Sequence, residues 1–164
     1  MVRLKGKLID TLVSDVDGVL TNGVYYYTAR GVLLKGFHCH DMVAARSFKD
    51  NGVKVVLVTS GNPAATKITE RRVMDMAHEG VTLVQAPFRL KVDALNKAGI
   101  RWEKTAYIGD CLDDLPAFKK AAVSIAPASA PRTVREAASM LLSTKGGEGC
   151  WLEIVEQMVY VNEG

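Results

Sequence analysis

The chain is expected to fold as an α/β doubly wound parallel sheet, and three features of the sequence carry that expectation. Short runs rich in Val, Ile and Leu recur along the 164 residues, helix-length segments separate them, and acidic residues cluster where two of the runs end. Runs that are apolar throughout, rather than alternating, suit strands covered on both faces by crossover helices. With 48% hydrophobic and 24% charged residues, the chain can bury a core without disulfides or a structural metal.

The elements follow in order. Leu8 to Ser14 (LIDTLVS) reads as the first strand, and Asp41 to Asn51 as a helix with Ala44, Ala45 and Phe48 on one side, stopped by Gly52. Val53 to Thr59 (VKVVLVT) is the second core strand. A helix begins at Asn62-Pro63, because Asn caps free amides and Pro suits the first helical position. Val81 to Val84, Thr105 to Ile108 and Val123 to Ile125 are the remaining strands. Trp151, Ile154, Val155 and Met158 fall at i, i+3, i+4 and i+7, the spacing of an amphipathic helix. No linker or repeat divides residues 1–164, which read as one domain with a C-terminal tail from about 143 to 164.

One piece breaks the alternation. Residues 24–37 (VYYYTARGVLLKGF) read as a β-hairpin around Ala29-Arg30-Gly31, inserted just after the first strand. The Tyr25-Tyr26-Tyr27 run is apolar for an exposed ribbon, so either the rest of the domain or another subunit is expected to cover it.

The formal net charge of +3 is too small and too scattered for a nucleic-acid-binding stripe. No stretch approaches the ~20 apolar residues of a membrane span, and the N-terminal MVRLKGKLID lacks a signal-like apolar run. Cys39, Cys111 and Cys150 form neither a disulfide framework nor a C-x-x-C zinc pattern. A cytoplasmic protein that binds neither nucleic acid nor membrane is the expectation.

The chemistry gathers at strand ends. In Asp15-Val16-Asp17-Gly18-Val19-Leu20-Thr21, two carboxylates one residue apart would share a side of an extended end, and Gly18 permits a sharp turn. Like charges so close need a cation or protons to offset them. Gly109-Asp110-Cys111-Leu112-Asp113-Asp114 ends a later strand. Asp113 and Asp114 also suit the positive end of a helix, but Asp110 stands where the first pair stands. In a doubly wound sheet those ends face one crevice, and hard oxygen ligands of this kind suit Mg²⁺. Thr59-Ser60-Gly61 offers hydroxyls and free amides to an anion, and Lys91 opens a helix with a positive charge fit to face phosphoryl oxygens.

The order D-x-D, then Thr-Ser, then Lys, then G-D-x-x-D-D resembles that of the haloacid dehalogenase-like phosphohydrolases. More narrowly, DVDGVLTNGVYYY, FHCHD, YIGDCLDDLPAF, APASAP and GGEG are similar to the small subgroup of 3-deoxy-D-manno-octulosonate 8-phosphate phosphatases and their nine-carbon relatives. The likeness runs from about Leu8 to Val159. It implies that Asp15 is a nucleophile forming an aspartyl-phosphate, and that Asp17 is a general acid and then a base. It implies Mg²⁺ held by Asp15, the Asp17 backbone carbonyl and Asp110. Thr59 or Ser60, with Gly61, would bind the phosphoryl group, and Lys91 would pair with it, oriented by Asp114. Asp113, Asp114 and Cys111 would surround the metal's waters.

Between Asp15 and Thr59 there is room for the hairpin, one helix and one strand only, so no cap domain is expected. In similar proteins the hairpins assemble a homotetramer, and a neighbour's residues and the Gly-rich tail, here including Gly147, shape the pocket. The implied substrate is a small phosphorylated eight- or nine-carbon keto-sugar acid of lipopolysaccharide synthesis.

Departures from the subgroup fall at Cys111, where a second Asp is common, at His40-Asp41-Met42, where Arg-Asp-Gly is common, and at Gly61-Asn62, where a charge often stands. Arg72, beside Arg71, is a candidate partner for a sugar carboxylate. His38, Cys39 and His40 would need further ligands for a transition-metal site, so His40 and Asp41 read as a polar rim touching substrate. The alternatives are a phosphatase for another phosphosugar or a nucleotide, and a non-catalytic oligomerisation module like that fused to sialic-acid cytidylyltransferases.

Overall fold

The computed structural model describes residues 1–61, 63–87 and 89–160. Asn62, expected to cap a helix, lies outside the described residues, as does the end of the tail, 161–164. The strands are β1 Val2–Leu4, β2 Lys7–Ile9, β3 Thr11–Asp15, β4 Tyr26–Thr28, β5 Gly31–Leu34, β6 Lys54–Thr59, β7 Thr82–Gln85, β8 Thr105–Ile108, β9 Val123–Ala126, β10 Met140–Leu141 and β11 Val159–Tyr160. The helices are α1 His40–Asp50, α2 Pro63–Met76, α3 Lys91–Lys97, α4 Leu115–Phe118, α5 Arg132–Ala137 and α6 Cys150–Glu156.

Six strands form a parallel sheet in the order β10-β9-β8-β3-β6-β7. Strand order therefore runs outward from β3 to β6 and β7 on one side, then returns to β8, β9 and β10 on the other. The reversal falls between β3 and β8, and a doubly wound sheet opens its ligand crevice at the carboxyl ends of such a pair. These two strands lead into Asp15 and Asp110.

Alternation along each strand divides the core into two layers. Leu12, Val55, Leu57, Ala106 and Ile108 pack with Phe48 of α1 and with Trp151 and Ile154 of α6. Val13, Val56, Val58 and Tyr107 pack on the other face with Leu95, Phe118 and Val134. Tyr107 and Trp151 are fully buried and each satisfies its polar atom: the Tyr107 hydroxyl donates to Asp114, and Trp151 Nε1 donates to Ser14 Oγ at 3.0 Å.

The expected first strand, Leu8 to Ser14, is two strands. It breaks at Asp10, whose carboxylate accepts from Thr11 Oγ1 at 2.9 Å and pairs with Arg101. β2 then joins a small antiparallel sheet with β1 and β11. The C-terminal helix ends at Glu156, so Met158 is buried beyond it rather than on it. The hairpin is present as β4 and β5, paired antiparallel with a shift between Tyr26 and Tyr27. Tyr26 and Tyr27 stand 54% and 62% exposed, so the rest of the chain leaves these two rings uncovered.

Candidate active site at the carboxyl ends of the sheet

Asp15 is the last residue of β3 and is 5% exposed. Its Oδ1 accepts the Val16 N–H at 2.8 Å and its Oδ2 accepts Lys91 Nζ at 2.7 Å. The chain turns at once, with the amides of Val19, Leu20 and Thr21 all donating to the Val16 carbonyl. This turn replaces the extended end that was expected, and the two carboxylates take different partners. Asp15 meets Lys91, whereas Asp17 meets Lys35, Tyr25 and Thr21. Gly18, at φ +86°, is where the chain can pass Asp110, because a Cβ there would lie 1.9 Å from Asp110 Oδ2.

Lys91 is the first residue of α3, 4% exposed, and donates equally at 2.7 Å to Asp15 Oδ2 and Asp114 Oδ1. Asp114 also accepts the Tyr107 hydroxyl at 2.6 Å and the amides of Asp110 and Cys111, each at 3.0 Å. Burial opposes the charge on Asp114, but Lys91 and these hydrogen bonds hold its carboxyl below the usual carboxylate range. Lys91 is held firmly protonated: burial opposes its charge too, and its two carboxylates overcome that.

Asp15 moves the opposite way. Burial pushes its carboxyl well up, and the charges of Asp114 and Asp110 add to this against the pull of Lys91. Burial and Asp114 likewise push Asp110 up to about 6. Donor atoms of Asp15, Asp110, Cys111 and Asp114 all lie within 4.8 Å of one another. One lysine is too little positive charge for three carboxylates this close, and a hard divalent cation is the partner that oxygen donors of this kind fit. The Cys111 thiol, pushed up to about 12 by burial and by Asp114, stays neutral and is a poor nucleophile.

Asp15, Asp17, Gly23, Tyr25, Thr59, Ser60, Gly61, Lys91, Asp110, Cys111 and Asp113 line one open cavity of about 290 Å³. Thr59 ends β6, and its Oγ1 accepts the Gly61 N–H at 3.2 Å. Ser60 Oγ is buried without a hydrogen-bond partner among the described residues. An orphan hydroxyl on a residue that lines the same cavity as Lys91 suits an anion, so the residues present fit a phosphoryl group as well as a cation.

The other expected site residues stand elsewhere. Asp41 is 1% exposed in the core: its Oδ1 accepts the Trp151 N–H at 3.2 Å and its Oδ2 has no partner among the described residues. It joins the starts of α1 and α6, so its carboxylate is not at the cavity rim. His40 is exposed, its ring edge-on to His38 with centroids 4.5 Å apart, and donor atoms of His38, Cys39 and His40 lie within 4.8 Å of one another. Arg72 donates to the His38 carbonyl at 3.3 Å and lies over the Phe37 ring. Gly147 donates its N–H to the Val19 carbonyl at 2.9 Å, and a Cβ on Gly146 would lie 1.9 Å from the Gly18 carbonyl oxygen. The tail glycines thus pack on the turn that carries Asp17.

Two residues of the site had no prominence in the sequence. Tyr25 was one of three tyrosines in a ribbon, and only strand alternation could have separated it from its exposed neighbour Tyr26. Lys35 was a single charge in the apolar run GVLLKGF, which is the signal that could have marked it.

Residues 40–122 match the haloacid dehalogenase-like hydrolase family. The chain is 34% identical over 152 residues to the 3-deoxy-D-manno-octulosonate 8-phosphate phosphatase KdsC of Haemophilus influenzae, covering 92% of this chain and 83% of that one. The cobalt-bound structure of the deoxy-D-mannose-octulosonate 8-phosphate phosphatase YrbI from Haemophilus influenzae superposes with a TM-score of 0.77 at 35% identity, over 90% of this chain and 85% of that one. The Moraxella catarrhalis 3-deoxy-D-manno-octulosonate 8-phosphate phosphatase, solved with magnesium, phosphate and KDO, gives a TM-score of 0.77 at 27% identity, over 90% and 84%.

Proposed function

Because this chain belongs to the haloacid dehalogenase-like hydrolases, we propose that it is a Mg²⁺-dependent phosphatase of 3-deoxy-D-manno-octulosonate 8-phosphate or a nine-carbon keto-sugar acid phosphate. Its class, a phosphoric monoester hydrolase, follows from the family and from relatives that are themselves phosphatases. The observation that carries the reading is the convergence of Asp15, Ser60, Lys91 and Asp110 on one cavity at the reversal of strand order.

On this reading Asp15 attacks the phosphorus in line, forming a bond from its carboxylate oxygen as the bond from phosphorus to the sugar oxygen breaks. Asp17 gives that oxygen its proton. Asp17 then takes a proton from the water that attacks the aspartyl-phosphate, releasing inorganic phosphate and restoring Asp15. Lys91 offers its charge to the phosphoryl oxygens, with Asp114 fixing its position from behind, and Ser60 or Thr59 donates a hydrogen bond to the same group. Mg²⁺, held by Asp15, the Asp17 carbonyl and Asp110, would neutralise charge on the crowded oxygens. Asp113 and Cys111 line the same cavity.

The assembly belongs to the same reading. A single capless domain leaves the cavity open, and the exposed Tyr26 and Tyr27 give the hairpin an apolar face for a homotetramer. His40 and Arg72, which do not line the cavity, would meet the part of the sugar that extends beyond it. No helix among the described residues is long and apolar enough to cross a membrane, and the proposed compartment is the cytoplasm.

The second reading, a phosphatase for a different phosphosugar or a nucleotide, is favoured by Gly61, which brings no charge where the subgroup often carries one and where a Cβ would already lie 3.3 Å from Thr59 Oγ1. Phosphate release across keto-sugar acid phosphates, other phosphosugars and nucleotides, with Mg²⁺ and with EDTA, separates the two. Turnover dominated by one keto-sugar acid phosphate and lost in EDTA supports the proposal. Turnover spread evenly over the panel, or a preference for a nucleotide, overturns it.

A further inference from the structure

Two residues that flank the hairpin strands bind the same carboxylate, Tyr25 from the cavity wall and Lys35 from the buried side. Lys35, just past β5, has a side chain only 1% exposed and brings its Nζ within 2.9 Å of both Asp17 oxygens. The Tyr25 hydroxyl donates to Asp17 Oδ2 at 2.6 Å, and Thr21 Oγ1 donates to Oδ1 at 3.2 Å. Each oxygen of Asp17 thus meets two donors, which removes the freedom of its side-chain torsions.

The clamp is anchored to the body of the protein. Lys35 Nζ also donates to Thr69 Oγ1 at 3.1 Å, and Thr69, fully buried on α2, is tied to the Ala65 carbonyl. The Tyr25 ring lies 5.1 Å from the same ammonium. Burying a lysine is costly unless it is paired, and an apolar side chain beside Leu34 and Phe37 would fill the space without that cost. Among the described residues the one carboxylate that meets Lys35 is Asp17. A fifth of the Asp17 side chain stays exposed, and Asp17 and Tyr25 share the cavity wall.

We propose that Lys35 and Tyr25 are positioning residues for Asp17, holding its carboxylate at one place in the cavity through both proton transfers. The proposal rests on the phosphatase reading above and deepens it. It also gives the hairpin a role in the chemistry: whatever seats the hairpin seats the acid–base group.

The two half-reactions depend on Asp17 differently, which makes the proposal testable. An alkoxide leaving a sugar needs a proton, whereas p-nitrophenolate leaves without one. Both esters give the same aspartyl-phosphate, whose hydrolysis needs a base. Lys35→Met and Tyr25→Phe would be followed in single turnovers with enzyme in excess and Mg²⁺ present, with thermal melts confirming the fold. If Lys35→Met does not fold, Tyr25→Phe, which loses one hydroxyl, carries the test.

The expected result is p-nitrophenolate release within about threefold of wild type, with phosphate release and sugar release each slowed about tenfold or more, the scale of acid–base catalysis. A merely structural role would slow all three together, and that outcome, or no slowing of any, overturns the proposal. A wild-type chain that releases nothing from either ester overturns instead the phosphatase reading beneath it.

Discussion

Lys91 Nζ and Asp15 Oδ2 lie 2.7 Å apart, joining residues 76 positions apart in the chain and tying the start of α3 to the end of β3. The same ammonium is 2.7 Å from Asp114. Removing it leaves two buried carboxylates facing each other. Lys91→Met is expected to abolish turnover and to destabilise the fold by about 3–5 kcal/mol at pH 7, the cost of breaking a buried pair. Adding Asp114→Asn to Lys91→Met is expected to recover part of that stability, as read from denaturant midpoints of the two variants.

Gly109 makes the Asp114 position possible. A Cβ on Gly109 would lie 2.4 Å from Asp114 Cγ, so the strand end must be bare for the carboxylate to reach the amides of Asp110 and Cys111. Gly109→Ala is expected to cost about 1–3 kcal/mol through overpacking. Its turnover should fall well beyond what the folded fraction explains, because Lys91 loses its second anchor. Activity per folded molecule equal to wild type would contradict this.

Ser60 and Thr59 are separable. Ser60 Oγ is buried with no partner among the described residues, whereas Thr59 Oγ1 already accepts the Gly61 N–H. Ser60→Ala removes an unsatisfied hydroxyl and is expected to leave stability unchanged or raise it by up to about 1 kcal/mol. Inhibition by inorganic phosphate should weaken by about tenfold, a charge-assisted hydrogen bond being lost. Calorimetry with phosphate reads both effects.

Asp41 gives the fold a pH dependence of its own. Burial pushes its carboxyl up to about 7, against the lowering pull of the Trp151 N–H and Arg72. The folded chain therefore keeps a proton that the unfolded chain releases near pH 4. The stabilisation is complete below that value and is lost as pH rises through 7. Between pH 6 and 8.5 the loss from this group is about 1.4 kcal/mol. Asp41→Asn is expected to flatten that part of the stability profile, measured by chemical denaturation across the range.

Divalent cation is expected to stabilise as well as activate. Mg²⁺ at about 100 times its Kd adds about 2.7 kcal/mol of stability by mass action. Asp110→Asn should shift the Mg²⁺ dependence of the melting temperature to higher concentration, and EDTA should remove the effect from wild type.

Much of this architecture was legible in the sequence. The apolar runs at β6, β8 and β9 and the spacing of Asp15, Thr59, Lys91 and Asp110 placed the sheet and four site residues, because strand-end chemistry needs only local order to be recognised. The two- and three-residue strands β1, β10 and β11 were not legible, since pairing across the chain rather than any run of residues defines them. Asp41 looked like a rim residue because burial of an acid against Trp151, 110 positions away, has no local mark. Lys35 does carry a local mark, as the single charge in GVLLKGF, but its partner Asp17, 18 positions away, is set by the fold.

The central claim is that Asp15 carries the phosphoryl group. The most direct measurement is to quench the enzyme during turnover of a keto-sugar acid phosphate with Mg²⁺, reduce with borohydride and map the modified residue by mass spectrometry. An acyl phosphate reduces to an alcohol, so the account predicts homoserine at position 15, and none there in Asp15→Asn, which releases no phosphate. Phosphate release by Asp15→Asn at the wild-type rate, or the reduced residue at any other position, would contradict it.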